Sequence, residues 1–270
     1  MSAWWTSPLV VGHRGGRGRP PANGCGGGIP LRAPDEAWPP ENTLAAFDRA
    51  RSEGARAVEL DVRTCEGGEA VVLHDPTLAR MTHSRDLRQV HEVPLAALHR
   101  VDLGGGARVP SLAEVLAWAR DGGVAVNVEV KHDVPSRVEV VRATVRAVHN
   151  ASADVLLSSF DPISLAMAAL WAPFVPRALL THAEQPLWAG LLQRAVRRPF
   201  VQAVHLQRAQ CNAAIVAGCV RRGLRVGAWT VNDVSDVDEL VRHGVATIIT
   251  DVPGEVISYL AAEIRAPQSQ

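Results

Sequence analysis

Short β-branched runs recur along this chain, with longer stretches of helical period between most of them. That alternation confines the fold to βα units around a mostly parallel sheet. The runs are Leu9–His13, Ala57–Arg63, Ala70–His74, Val124–Val130, Val155–Phe160, Arg177–Thr181, Val201–Leu206, Leu224–Val231 and Thr247–Asp251. Between them, segments such as Leu112–Arg120, Arg137–His149, Ile163–Leu170, Ala213–Arg222 and Val234–His243 repeat apolar residues at helical spacing. Nine strands are one too many for an eight-stranded barrel. Only Cys65-Glu66-Gly67-Gly68-Glu69 separates the second run from the third, too short for a parallel crossover, so those two form an antiparallel hairpin. The remainder is an α/β chain of the (β/α)8 TIM barrel kind, with one extra antiparallel strand after the second barrel strand. A doubly wound open sheet is the structural alternative.

At 270 residues the chain is read as one domain over 1–270, without internal repeats beyond the βα alternation. Lys+Arg and Asp+Glu are 28 each, with no long run of one sign, so a basic nucleic-acid footprint is absent. The longest apolar runs fall short of a membrane span. Met1 to Val11 carries neither the basic residues nor the cleavage pattern of a secretory signal, and the expected location is cytoplasmic. Cys25, Cys65, Cys211 and Cys219 match neither a zinc nor a redox spacing and read as isolated thiols. The composition says nothing of oligomeric state. Two stretches break the rhythm: a Gly- and Pro-rich loop over 15–40, and a short polar tail over 262–270 expected to fray.

In a parallel barrel the reactive side chains project from the carboxyl ends of the strands. Here those ends read Gly12-His13-Arg14-Gly15, Glu59-Leu60-Asp61-Val62, Leu73-His74-Asp75 and Asn127-Val128-Glu129-Val130-Lys131. Residues two apart on a strand share a face, so Glu59 sides with Asp61, and Glu129 with Asn127 and Lys131. Both faces of a parallel barrel are covered, so mid-strand charges need partners. Three carboxylates about 5 Å apart at an effective dielectric of about 20 repel by roughly 10 kcal/mol in all. Protons or a cation must relieve that, and an oxygen ligand set favours Mg²⁺ or Ca²⁺ over zinc. Arg14 and the sole lysine, Lys131, are the nearest cations, fit either to grip a phosphate or to form structural salt bridges with Glu59 or Glu129. A hairpin turn centred between Gly67 and Gly68 predicts that His74 lies opposite Asp61.

Together Gly12-His13-Arg14-Gly15, Pro40-Glu41-Asn42-Thr43, Glu59-Leu60-Asp61-Val62, His74-Asp75, Val128-Glu129-Val130-Lys131, Ser159-Phe160, Trp229-Thr230-Val231-Asn232 and Ile248-Ile249-Thr250-Asp251 resemble the glycerophosphodiester phosphodiesterase family, in its short cytoplasmic bacterial form. The resemblance implies a barrel that hydrolyses glycerophosphodiesters to glycerol 3-phosphate and an alcohol with a divalent cation. It implies that His13 and His74 are the acid–base pair and that Glu59, Asp61, Glu129 and Glu41 hold or border the metal. Arg14 and Lys131 go to the phosphate, and Trp229 either lines the glycerol pocket or packs the barrel rim. Asp75 and Asn42 orient neighbours. The loop over 15–40 is longer than in typical members. A lysophospholipase D-like activity and a barrel that binds a phosphodiester without turnover are the competing functions.

Overall fold

Alternation along β2 (Ala57–Thr64) and β4 (Ala125–Val130) sets the architecture. Val58, Leu60, Val62, Val126, Val128 and Val130 share one apolar cluster with Leu112, Val115 and Leu116 of α3 (Leu112–Gly122) and Val140, Val141 and Val145 of α4 (Arg137–Ala151). The intervening Ala57, Glu59, Asp61, Ala125, Asn127 and Glu129 therefore turn toward the barrel axis. This computed structural model describes residues 2–18, 38–184 and 200–265. Residues 19–37, most of the long loop, and with them Cys25, lie outside that description.

The remaining strands are β1 (Leu9–Gly12), β3 (Ala70–Val72), β5 (Val155–Ser159), β6 (Arg177–Thr181), β7 (Ala203–Gln207), β8 (Arg225–Trp229) and β9 (Thr247–Thr250). The sheet runs β1-β9-β8-β7-β6-β5-β4-β2-β3, and β1 also pairs with β2, which closes a parallel ring of eight with β3 outside it. Around the ring α1 (Leu44–Ser52), α5 (Pro162–Trp171), α6 (Ala213–Arg221), α7 (Ser235–His243) and α8 (Pro253–Arg265) join α3 and α4. A one-turn helix, α2 (Leu95–Leu98), follows the hairpin. Helix α8 runs through 262–265, where a frayed tail was expected, because Val256 is buried and Ile257 and Leu260 pack on the core beside α7. No helix among the described residues is long and apolar enough to cross a membrane.

The hairpin exists, but its register differs from expectation by one residue. Val62 pairs with Val72 and Thr64 with Ala70, and Leu73, not His74, donates its N–H to the Asp61 carbonyl at 3.0 Å. The reason is an odd-membered turn. The Cys65 N–H donates to the Glu69 carbonyl at 3.0 Å, centring the loop on Gly67, whose φ of 92° is left-handed. The ladder ends with Val72 and this Leu73 bond to Asp61, and His74 leaves the strand. Its carbonyl is taken up by Arg63, whose Nε donates to it at 2.8 Å while Nη1 and Nη2 bond the Asp133 carbonyl and carboxylate at 2.8 and 2.7 Å.

The amino-terminal floor of the barrel is apolar. Ala57, Ala125, Ala178 and Ala203 present methyl groups from four strands, and the room they leave holds the Trp4 indole, 1 % exposed, with Leu9, Val11, Leu156 and Ile249. Trp4→Ala should therefore cost about 3–5 kcal/mol, read from the urea midpoint at unchanged slope. A loss under about 1 kcal/mol would mean that the indole does not plug the barrel.

Candidate active site

The turn that follows β1 is held by close backbone approach. Arg14 has a left-handed φ of 52° and Gly15 one of 88°, and a Cβ on Gly15 would lie 2.8 Å from the Ala46 carbonyl carbon of α1. Only glycine lets α1 sit that close. So fixed, the Arg14 N–H donates to Glu59 Oε2 at 2.9 Å, and its Nη1 donates to Glu41 Oε1 at 2.9 Å. Arg14 Nε stands 3.1 Å from Asp61 Oδ2 as an ion pair without hydrogen-bond alignment. At the start of α1, Thr43 caps the helix by accepting from the Ala46 N–H, and Asn42 clamps Asp61 at two points. Its amide donates to Asp61 Oδ2 at 2.9 Å and its carbonyl oxygen accepts the Asp61 N–H at 3.2 Å. Asn42 thus orients a neighbour, as expected.

Glu59, Asp61 and Glu129 converge, each offering an oxygen within 4.8 Å of the others. Parallel pairing produces this: Asp61 is the register partner of Glu129, and Glu59 precedes Asp61 by two on the same face. Lys131 joins them, its Nζ 2.9 Å from Glu129 Oε1 and 3.3 Å from Asp61 Oδ1. Burial, then the charges of Asp61 and Glu129, push the Glu59 carboxyl well above its usual range, against the opposing pull of Arg14. Burial would raise Asp61 too, but Arg14, Lys131 and His74 outweigh it and hold that carboxyl low. Burial would lower the Lys131 ammonium, yet Asp61 and Glu129 raise it. Three carboxylate oxygens at this spacing suit a hard divalent cation. Asn127, the register partner of Glu59, adds a buried amide oxygen with no partner among the described residues.

Each histidine is backed by a carboxylate. His13 Nδ1 lies 2.8 Å from Asp251 Oδ1, and His74 Nδ1 lies 2.6 Å from Asp75 Oδ1. Burial would raise both aspartates, but His13 and Arg17 hold Asp251 low, and His74 and Arg80 hold Asp75 low. An ionised carboxylate only accepts, so Nδ1 carries the proton in both rings and Nε2 is left for chemistry. His13 Nε2 is 3.9 Å from Glu59 Oε2. Burial, the largest effect on His13, lowers its pKa despite the opposing Asp251. The off-register His74 is still tied to the group, by way of Asp75, Arg80, Glu41 and Arg14, whose guanidinium pairs with Asp61.

The structure thus gathers His13, His74, Glu59, Asp61, Glu129, Arg14 and Lys131. Glu41, expected to hold or border the metal, is not one of the three carboxylates within 4.8 Å of one another; its oxygens accept from arginines, of which Arg14 also pairs with Asp61. Trp229 lies at the end of β8, where its Nε1 donates to the His205 carbonyl at 3.1 Å and its ring stands nearly perpendicular to Phe160, with centroids 5.5 Å apart. Sequence reasoning gave Asp251, Arg17 and Arg80 no role. Barrel closure carried the missing signal for Asp251: Gly12 pairs with Thr250, so the next residues, His13 and Asp251, stand side by side. Asn232 then holds Asp251, donating to Oδ2 at 2.7 Å.

A closed barrel with carboxylates and paired imidazoles at its carboxyl rim is the build of a barrel enzyme. The profile of the Glycerophosphoryl diester phosphodiesterase family matches residues 13–255, and the chain belongs to that family of hydrolases. It is 31% identical over 261 residues to a glycerophosphodiester phosphodiesterase of Caldanaerobacter subterraneus, covering 93% of this chain and 96% of that one. An enzyme of the same name from Bacillus altitudinis is 28% identical over 233 residues, 81% of this chain and 91% of its own. Among solved structures, an Oleispira antarctica phosphodiesterase in complex with the product sn-glycerol-3-phosphate aligns with a TM-score of 0.78 at 24% identity, covering 97% of this chain and all of that one. A Thermotoga maritima glycerophosphodiester phosphodiesterase aligns at 0.68 and 22%, covering 95% of this chain and 98% of its own.

The raised Glu59 carboxyl fixes a sign. Its neutral form supports the metal-free fold below its ordinary value of 4.5, and that support is lost as pH rises through the higher folded value. A cation replaces the proton, so Mg²⁺ or Ca²⁺ should bind more tightly as pH rises above 4.5, and should stabilise by about 2.7 kcal/mol at a hundred times its Kd. Titration calorimetry across pH with matched thermal melts checks this; a pH-independent affinity would contradict it.

Proposed function

We propose that this protein hydrolyses glycerophosphodiesters to glycerol 3-phosphate and an alcohol with a divalent cation held by Glu59, Asp61 and Glu129, and with His13 and His74 as the acid–base pair. The observation that carries this reading is the matched pair of imidazoles, each with Nδ1 tied to an aspartate, His13 Nε2 lying 3.9 Å from Glu59 in the carboxylate group and His74 joined to that group through Asp75, Arg80, Glu41 and Arg14. One imidazole takes at Nε2 the proton of the glycerol 2-hydroxyl as its oxygen bonds phosphorus, and the other gives its Nε2 proton to the departing alcohol oxygen as that P–O bond breaks. Water then opens the cyclic phosphate to glycerol 3-phosphate with the two imidazoles in exchanged roles. Asp251 and Asp75 steady the imidazolium each ring passes through. When bound, the cation supplies positive charge to the phosphoryl oxygens; Mg²⁺ and Ca²⁺ both suit the oxygen donors.

Lys131 uses its ammonium on Glu129 and Asp61, which leaves one of three hydrogens for a phosphoryl oxygen. Arg14 spends Nη1 on Glu41 and keeps Nη2 for the same purpose. Trp229, nearly perpendicular to Phe160, offers an apolar wall to the glycerol carbons. Formal charge supports a singly charged ester. Glu41, Glu59, Asp61, Glu129, Asp75 and Asp251 against Arg14, Arg17, Arg80 and Lys131 leave two negative charges. A divalent cation and one imidazolium bring three positive charges, and a phosphodiester monoanion closes the balance.

His13→Ala and His74→Ala should each lower turnover of glycerophosphocholine at least about 100-fold, followed as release of glycerol 3-phosphate. Chelation should abolish turnover, and added Mg²⁺ or Ca²⁺ should restore it. Near-parental rates in both histidine variants would contradict the acid–base assignment.

A further inference from the structure

Glu41 is built into the site from both sides, yet it is nobody's obvious ligand. Its neighbours Asn42 and Thr43 are fixed by the Asp61 clamp and the α1 cap. Its Oε1 accepts from Arg14 Nη1 at 2.9 Å and from Arg80 Nη2 at 2.6 Å, and its Oε2 accepts from Arg17 Nη1 at 3.4 Å. Burial would raise this carboxyl, but Arg14, Arg80 and Arg17 bring it down to about 2. A cation on either oxygen would stand against a guanidinium.

The arginines lead onward. Arg17 donates from Nε and Nη2 to both oxygens of Asp251, at 2.8 and 3.1 Å, and Asp251 holds His13. Arg80 donates from Nε to Asp75 Oδ2 at 2.6 Å, and Asp75 holds His74. Two chains of alternating charge, His13–Asp251–Arg17 and His74–Asp75–Arg80, therefore meet on one carboxylate. The first spans the ends of β1 and β9, near the two ends of the sequence, the second follows β3, and the contact of Arg17 and Arg80 with Glu41 joins them.

We infer that Glu41 is a positioning residue, the common counter-ion through which Arg17 and Arg80 hold the two His–Asp pairs in fixed relation, and that it is not a metal ligand. The inference rests on the preceding reading of His13 and His74 as the reacting pair. Acid–base transfer across one substrate needs both Nε2 atoms placed at once, and misplacement of about 1 Å costs on the order of 100-fold in rate. One anchor sets both.

The test uses the full-length, metal-free protein with ¹⁵N-labelled histidine, the imidazole signals being assigned with His13→Ala and His74→Ala. Glu41→Gln should move the signals of both rings, Arg17→Lys that of His13 alone, and Arg80→Lys that of His74 alone. Calorimetry should find Mg²⁺ bound by Glu41→Gln within about threefold of the parent, while kcat on glycerophosphocholine falls about 10- to 100-fold with KM little changed. A tenfold loss of Mg²⁺ affinity with both imidazole signals in place would make Glu41 a ligand and overturn the inference. So would movement of only one ring. If Glu41→Gln does not fold, Glu41→Asp is read by the same criterion. Full activity in both histidine→Ala variants would remove the catalytic reading while the imidazole signals still decide the linkage.

Discussion

The crowding of Glu59, Asp61 and Glu129 on two adjacent parallel strands is the constraint from which the site follows. Like charges at this spacing repel too strongly to stay ionised without partners in a buried setting. Two cations answer them from within the chain: Lys131 from the end of β4, and Arg14 from a left-handed turn that Gly15 and α1 hold in place. One carboxylate is left over, and the raised Glu59 marks the position where a proton or a divalent cation completes the balance. Around that core lies a ring of Glu41, Arg17, Arg80, Asp75 and Asp251 that carries the two histidines.

The fold supplies these contacts by separating its two ends. Alanines and the Trp4 indole fill much of the amino-terminal floor, and Glu59, Asp61, Asn127, Glu129 and Lys131 lie beyond it toward the carboxyl rim. Closure of β1 between β9 and β2 sets His13 beside Asp251 and the Arg14 amide against Glu59. The extra strand β3 uses the projecting end of β2 to deliver His74 to the same rim, and Arg63 ties its carbonyl to the loop after Lys131.

Much of this was legible in the residues. Strand positions follow from β-branched runs; Arg177–Thr181 agrees end for end, and the others differ by a few residues at their termini. The facing of Glu59, Asp61, Asn127 and Glu129 follows from a period of two. What failed was the hairpin register, because two adjacent glycines admit a turn centred between them or on Gly67 alone, and only the Cys65–Glu69 bond decides. The Arg17 and Arg80 links were illegible for a different reason. A long flexible arginine has no preferred partner in one dimension, and 27 such residues give no contrast. Glu41 was placed by the company its segment keeps in the family, whereas its partners come from two separate segments, Arg14 and Arg17 after β1 and Arg80 after β3.

The most direct test places a paramagnetic ion in the site. Mn²⁺ titrated into ¹⁵N-histidine-labelled protein at substoichiometric ratios broadens only imidazoles close to where it binds. The account predicts that the His13 and His74 signals broaden together, that exposed His149 on α4 stays sharp, and that excess Mg²⁺ restores both lines. Broadening of one of the two alone, or of histidines elsewhere with these two unaffected, would contradict a cation held by Glu59, Asp61 and Glu129 between the imidazoles.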